Sequence, residues 1–224
     1  MIEVVRLLLD HEGNVNEHSQ PGRWVSTVEL AAWTGQEEVL LLLLTRGANP
    51  YGRYLGSSMS AAAWGGRVGA VRILLDAGVQ LKPNQLYSVL ARAAPRIGAA
   101  EMVRLLLDRG VVELNKFGDK EKNADFYSVN LMGIACQQGN VGFVDALAQH
   151  GVSIHDESWY ARHNFPPPIV IAMAFRQNHL VQALQIFGVK QVDPLASMLG
   201  QDFANGKYPC DPPPPPECTM PCKS

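Results

Sequence analysis

Four glycine pairs in this 224-residue chain share one spacing: Gly35–Gly47, Gly66–Gly78, Gly98–Gly110 and Gly139–Gly151 are each twelve residues apart. Within every pair, apolar or small residues stand at the same offsets from the first glycine. They are Val39, Leu40, Leu42, Leu43; Ala70, Val71, Ile73, Leu74; Met102, Val103, Leu105, Leu106; and Phe143, Val144, Ala146, Leu147. Such offsets trace the buried stripe of an α-helix. The second glycine stands where that helix needs a left-handed residue to end it. Just ahead of the first glycine lie small residues, Ala31–Ala32, Ala62–Ala63 and Ala135–Cys136, which let a shorter helix approach closely. The spacing therefore predicts an array of antiparallel helix pairs, an architecture that presents surface and assembles no reaction centre of its own.

The repeated unit resembles the ankyrin repeat, whose pattern is T-P-L-H-x-A-A-x-x-G, a second helix ending in L-L-L, then G-A-D. One unit reads Ser26-Thr27-Val28-Glu29-Leu30-Ala31-Ala32-Trp33-Thr34-Gly35 and continues to Leu42-Leu43-Leu44-Thr45-Arg46-Gly47-Ala48-Asn49. The next runs from Ser57-Ser58-Met59-Ser60-Ala61-Ala62-Ala63-Trp64-Gly65-Gly66 to Ile73-Leu74-Leu75-Asp76-Ala77-Gly78. Steps between terminal glycines are 31, 32 and 41 residues, against about 33 in the family. The resemblance covers residues 1 to about 199 and implies an all-α ankyrin-repeat solenoid of stacked helix–turn–helix units with finger loops. About six units are expected over residues 1–200, the first incomplete and the last degenerate, followed by a disordered Pro-rich tail over residues 201–224. The irregular spacing and long fingers resemble those of fungal ankyrin proteins.

Departures from the pattern are specific. The family's helix-one histidine, which ties neighbouring repeats, is replaced by Glu29, Ser60, Gly133 and Val170. Pro95 adds one residue to the turn of the fourth unit, and Arg176 replaces the first glycine of the sixth (Pro167–Gly188). Coupling between units is accordingly expected to be weaker than in consensus arrays. The chain starts directly on the helix Ile2–Asp10, leaving Val4, Val5, Leu7 and Leu8 with one apolar side uncovered, so the sequence is expected to be part of a longer array. In the tail, Pro212–Pro216 favours a polyproline II rod of about 15 Å, at roughly 3.1 Å per residue.

Composition narrows the function classes. A formal charge of −2 gives the chain no overall attraction to phosphate. Glu3, Arg6 and Asp10 interrupt the first apolar run and argue against a signal-peptide core. Leu40–Leu44 falls far short of the about 20 apolar residues that span a bilayer. A cytoplasmic or nuclear protein with no membrane or nucleic-acid partner is the expectation. Cys136 is expected to be a buried, inert thiol. Cys210, Cys218 and Cys222 have no nearby histidine and make a poor zinc site. No phosphate-binding loop, nucleophile elbow or zinc-protease helix occurs, and neither cofactor nor metal is expected.

Because the twelve-residue spacing is constant, length variation falls between units: 19 residues from Gly47 to Gly66, 20 from Gly78 to Gly98, and 29 from Gly110 to Gly139. These segments correspond to the fingers that line the concave face in ankyrin repeats. They carry Arg23, Trp24, Tyr51, Arg53, Tyr54, Lys116, Phe117, Trp159, Tyr160, Arg162 and His163. Tryptophan, tyrosine and arginine are the side chains most enriched at interface hot spots. Trp33 and Trp64 share one repeat position, with Gln137 matching it in the fifth unit, so the two indoles should lie side by side on the groove floor. The candidate partner-binding set is therefore these three residues with Arg23, Trp24, Tyr51, Arg53, Tyr54, Trp159, Tyr160, Arg162 and His163, the arginines selecting carboxylates or carbonyls. Local packing of the aromatics within their fingers is the alternative for the same residues. A non-catalytic module that binds another protein is the primary reading. A second reading places an acquired small-molecule or catalytic site near His155–His163, where His155, Asp156, Glu157, Arg162 and His163 cluster. A third has the array serving a larger multidomain regulator.

Overall fold

The computed structural model describes residues 2–11, 13–16, 26–51, 57–109, 124–155, 160 and 165–190. Its helices are α1 (Ile2–Asp10), α2 (Thr27–Thr34), α3 (Glu37–Thr45), α4 (Ser57–Trp64), α5 (Val68–Asp76), α6 (Pro83–Ala93), α7 (Ala99–Asp108), α8 (Ala124–Gln137), α9 (Val141–Gln149), α10 (Pro168–Ala174) and α11 (Asn178–Ile186). From α2 onward they pair in chain order, α2 with α3 through α10 with α11. First helices stack on one another, α2 on α4, α4 on α6, α6 on α8 and α8 on α10. A second row runs α1, α3, α5, α7 and α9, and the core lies between the two rows. Gly110 and the segment 201–224 lie outside the described residues.

The offsets read from the sequence are the ones that pack. Leu40, Val71, Val103 and Val144 are buried, as are Leu43, Leu74, Leu106 and Leu147 one turn later. Leu42, Ile73 and Leu105 are half-buried, because their position turns toward the rim of the second-helix row. On the first helices the small residues Ala31, Ala32, Ala62, Ala63, Ala135 and Cys136 are fully or almost fully buried. Their size lets the two rows approach. Helix α1 buries no residue, and Val4, Leu7 and Leu8 are 59%, 60% and 61% exposed.

Both glycines of the repeat end helices through a left-handed residue. At Gly35 (φ 75°), the amide of the next residue, Gln36, donates to the Ala31 carbonyl at 3.0 Å. At Gly47 (φ 82°), Ala48 donates to Leu43 at 3.0 Å, and the same bond recurs at Val79–Leu74, Val152–Leu147 and Val189–Leu184. This six-residue closure satisfies carbonyls that a helix end leaves without partners. The sixth unit makes it without glycine: Arg176 has φ 56°, the sole positive value for a non-glycine among the described residues, and Gln177 donates to Ala172 at 2.8 Å. Packing of α10 against α11 imposes the turn on a side chain that disfavours it. In the fourth unit, α6 ends at Ala93, ahead of Pro95, and Gly98 (φ 88°) sits directly before α7; residues 94–98 separate the two helices, a longer connection than the one added residue expected.

Neighbouring units are tied through the residue that follows the first glycine position. Arg67 Nε donates to the Trp33 carbonyl (3.3 Å), Asn140 Nδ2 to the Ala94 carbonyl (3.1 Å) and Gln177 Nε2 to the Gln137 carbonyl (2.8 Å). Each bond caps the C-terminal end of the preceding unit's first helix. They give the array a cross-unit bond where the family's helix-one histidine is missing. Glu29, at that histidine position, instead closes a capping box: it accepts from the Ser26 amide at 2.8 Å while Ser26 Oγ accepts from Glu29. Gln85 accepts from the Lys82 amide in the same way at the start of α6. Along the second-helix row, Asp10–Arg46, Asp76–Arg109 and Asp108–His150 repeat one cross-unit pair at 2.7 to 2.9 Å. Exposed pairs of this kind contribute about 0–1 kcal/mol each, so they set register more than stability.

Two substitutions test these devices. Arg176→Gly removes the left-handed strain and is expected to raise stability by about 1 kcal/mol, read as a higher urea midpoint at unchanged slope. No gain would mean that the turn carries no strain. Asn140→Ala removes both the cap of α9, where Asn140 Oδ1 accepts from the Phe143 amide at 3.0 Å, and the tie to Ala94. A loss of about 1–2 kcal/mol is expected in the same titration.

Candidate functional site

The first helices end together on one face, and the residues just before each turn are displayed there. Trp33 is the penultimate residue of α2 and Trp64 the last of α4. Their rings stack with centroids 5.7 Å apart and planes inclined by 16°. Both are half-buried, so each indole keeps an outer surface in contact with solvent. Gly65 makes the approach possible: a Cβ built there would stand 2.2 Å from the Trp33 carbonyl oxygen. A stacked pair of this type contributes about 0.5–1.5 kcal/mol beyond the area it buries.

Beside the indoles is an open pocket of about 380 Å³ lined by Trp33, Thr34, Trp64, Gly65, Arg67 and Arg96. Arg67 and Arg96 are exposed and come from the turns after the third and fourth units' first helices. The Arg67 stem lies over Gly35, where a Cβ would meet its Cδ at 2.7 Å. Neither arginine figured among the residues expected from sequence to bind. The signal was present in the repeat register, since Arg67 follows a first glycine and Arg96 precedes one, but only the stacked geometry brings both arginines into one pocket with both tryptophans.

Other expected residues fall elsewhere. Tyr51 is 42% exposed, and its phenol oxygen accepts from the Gln80 amide at 3.3 Å, bridging the loops of two units. Gln137 is half-buried, separated from Trp64 along the stack by the Pro95 turn, and its carbonyl is taken by Gln177. Tyr160 does not lie on the surface. It is fully buried, donates its hydroxyl to the Ser153 carbonyl and accepts the Phe165 amide at 3.0 Å on its own carbonyl. Its ring belongs to the hydrophobic core of the array, so this residue packs inward, as in the packing alternative, and does not face a partner. Arg23, Trp24, Arg53, Tyr54, Trp159, Arg162 and His163 lie outside the described residues, as do Lys116 and Phe117.

The cluster suggested as a site for chemistry is represented by His155, which is exposed and whose ring edge comes within 4.0 Å of a Cβ built on Gly188. Asp156, Glu157, Arg162 and His163 lie outside the described residues. Among the described residues no three His, Cys, Asp or Glu side chains are grouped to hold a metal ion. No helix among them is long and apolar enough to cross a membrane. Cys136 is fully buried in α8, and desolvation pushes its thiol far above the ordinary range. Only a thiolate attacks an alkylating agent. Iodoacetamide at about pH 8 is therefore expected to leave Cys136 unmodified in the folded protein and to label it once denaturant is added, read by peptide mapping. Labelling in the folded state would contradict the burial.

No protein-family model matches the sequence, and no curated protein matches it. Among solved structures, the crystal structure of the human ASB11 ankyrin repeat domain is similar with a TM-score of 0.56 and 21% sequence identity. The match covers 80% of this chain and 84% of that one. With its paired helices, left-handed turns and two stacked rows, the chain has the ankyrin-repeat fold.

Proposed function

We propose that this protein is a non-catalytic recognition module that binds a partner protein through the face displaying Trp33 and Trp64. The ankyrin-repeat fold generally mediates protein–protein interaction. The observation that supports this face in particular is the stacked indole pair, half-exposed at the ends of α2 and α4 beside an open pocket. Large, rigid aromatic surface that loses little side-chain entropy on binding is the usual anchor of an interface. The finger residues Arg23, Trp24, Tyr51, Arg53, Tyr54, Trp159, Arg162 and His163 extend the proposed contact set beyond the pocket, with Gln137 further along the row. Tyr160, being buried, is left out of it.

The test replaces both indoles. Trp33→Ala with Trp64→Ala leaves the backbone ties and the core untouched and is expected to cost about 1–2 kcal/mol of stability from lost stacking and burial. Affinity purification of the wild-type chain and of the double variant, compared by quantitative mass spectrometry, should show one partner enriched by the wild type and lost by the variant. Anchors of this kind carry about 2 kcal/mol or more of binding. A partner retained at full strength by a variant that keeps its helical circular dichroism would show that binding lies elsewhere.

A further inference from the structure

We infer that the pocket beside Trp33 and Trp64 receives a carboxylate from an acidic segment of the partner, held between Arg67 and Arg96. This rests on the reading of the tryptophan face as a recognition surface and adds the chemistry of what it recognises. The distribution of arginines carries it. On the second-helix row, Arg46, Arg72, Arg104 and Arg109 each face an aspartate or glutamate at 2.7 to 3.4 Å. Among the described residues, no Asp or Glu lines the pocket and neither Arg67 nor Arg96 makes an ion pair. Among the described residues, Arg67 engages only its Nε, on the Trp33 carbonyl. The paired terminal nitrogens of its guanidinium are left to a ligand, and they match the fork of a carboxylate.

Two cations and two indoles lining one pocket define a mixed occupant: an Asp or Glu next to a large apolar side chain, in an extended peptide. Each indole already covers one face of the other, which leaves fewer ring faces on which successive bases of a nucleic-acid strand could stack. The net charge of −2 also opposes a polyanion, whereas a short acidic peptide needs only the local field of the two arginines.

The test uses the full chain as bait for a phage-displayed library of random peptides, with binding of the selected peptides measured by fluorescence anisotropy. Selected sequences should be enriched in Asp and Glu beside an aromatic or aliphatic residue. Replacing the acidic residue by its amide should weaken binding by about tenfold or more, as should Arg96→Glu in the protein. Arg96→Glu leaves the Arg67–Trp33 bond in place, so its fold is expected to be intact by circular dichroism. Raising salt from low to physiological strength should also weaken binding. Peptides without acidic enrichment that still need Trp33 and Trp64 would overturn the carboxylate assignment while leaving the recognition face standing. Selection of no peptide dependent on either tryptophan would count against both. Binding of a single-stranded oligothymidylate probe that Arg96→Glu abolishes would overturn the assignment in favour of phosphate.

Discussion

A residue that can turn left at the end of a helix is what the whole molecule depends on. Each unit reverses direction twice within a few residues, and at both reversals a carbonyl from the last helical turn must find a donor. The left-handed residue brings the following amide onto that carbonyl, as at Gln36–Ala31 and Ala48–Leu43. Without this closure the two helices of a unit could not lie antiparallel at the distance set by their alanines. The conformation is strained for any side chain, so glycine recurs, and the recurrence fixes the period. Where Arg176 takes the place, the same bonds form, which shows that packing within a helix pair is strong enough to hold the turn.

A second requirement is that each unit recognise its neighbour. Repeat arrays are stable only through these interfaces, since a lone helix pair leaves one apolar side bare. Here the first residue past the turn carries the task, with arginine, asparagine and glutamine all donating to a carbonyl at the end of the preceding helix. The same residue thereby serves two ends. In capping the Trp33 carbonyl, Arg67 is drawn beside the indole pair. The pocket arises from a structural tie whose donor happens to be charged. An asparagine or glutamine at that position, as in later units, leaves no such cation.

Much of the fold was legible because its determinants are local. The bounds of α1, the two helices of the sixth unit and the lengthened turn after Pro95 all follow from spacing, proline and glycine alone. The adjacency of Trp33 and Trp64 was legible too, because equal repeat positions stack. What escaped depends on geometry between units. Arg67 and Arg96 sit in turns, where a charged residue ordinarily signals only solvent. The sequence cannot say that the Arg67 stem crosses Gly35 to reach the indoles. Tyr160 escaped for the opposite reason: an aromatic in a long inter-unit segment has the same composition whether it anchors a partner or packs into the array's core. The sequence shows Glu29 only as the residue that replaces the family's histidine; its burial and its role in closing a helix cap emerge from the structure.

The central claim is that the ends of the first helices form the recognising face. Hydrogen–deuterium exchange on the purified chain, with and without its captured partner, addresses it most directly. The account predicts new protection over the turns that follow α2, α4 and α6, around residues 33–36, 64–67 and 95–98, with the second-helix row unchanged. Protection confined to α3, α5 and α7, or centred on residues 150–165, would contradict it.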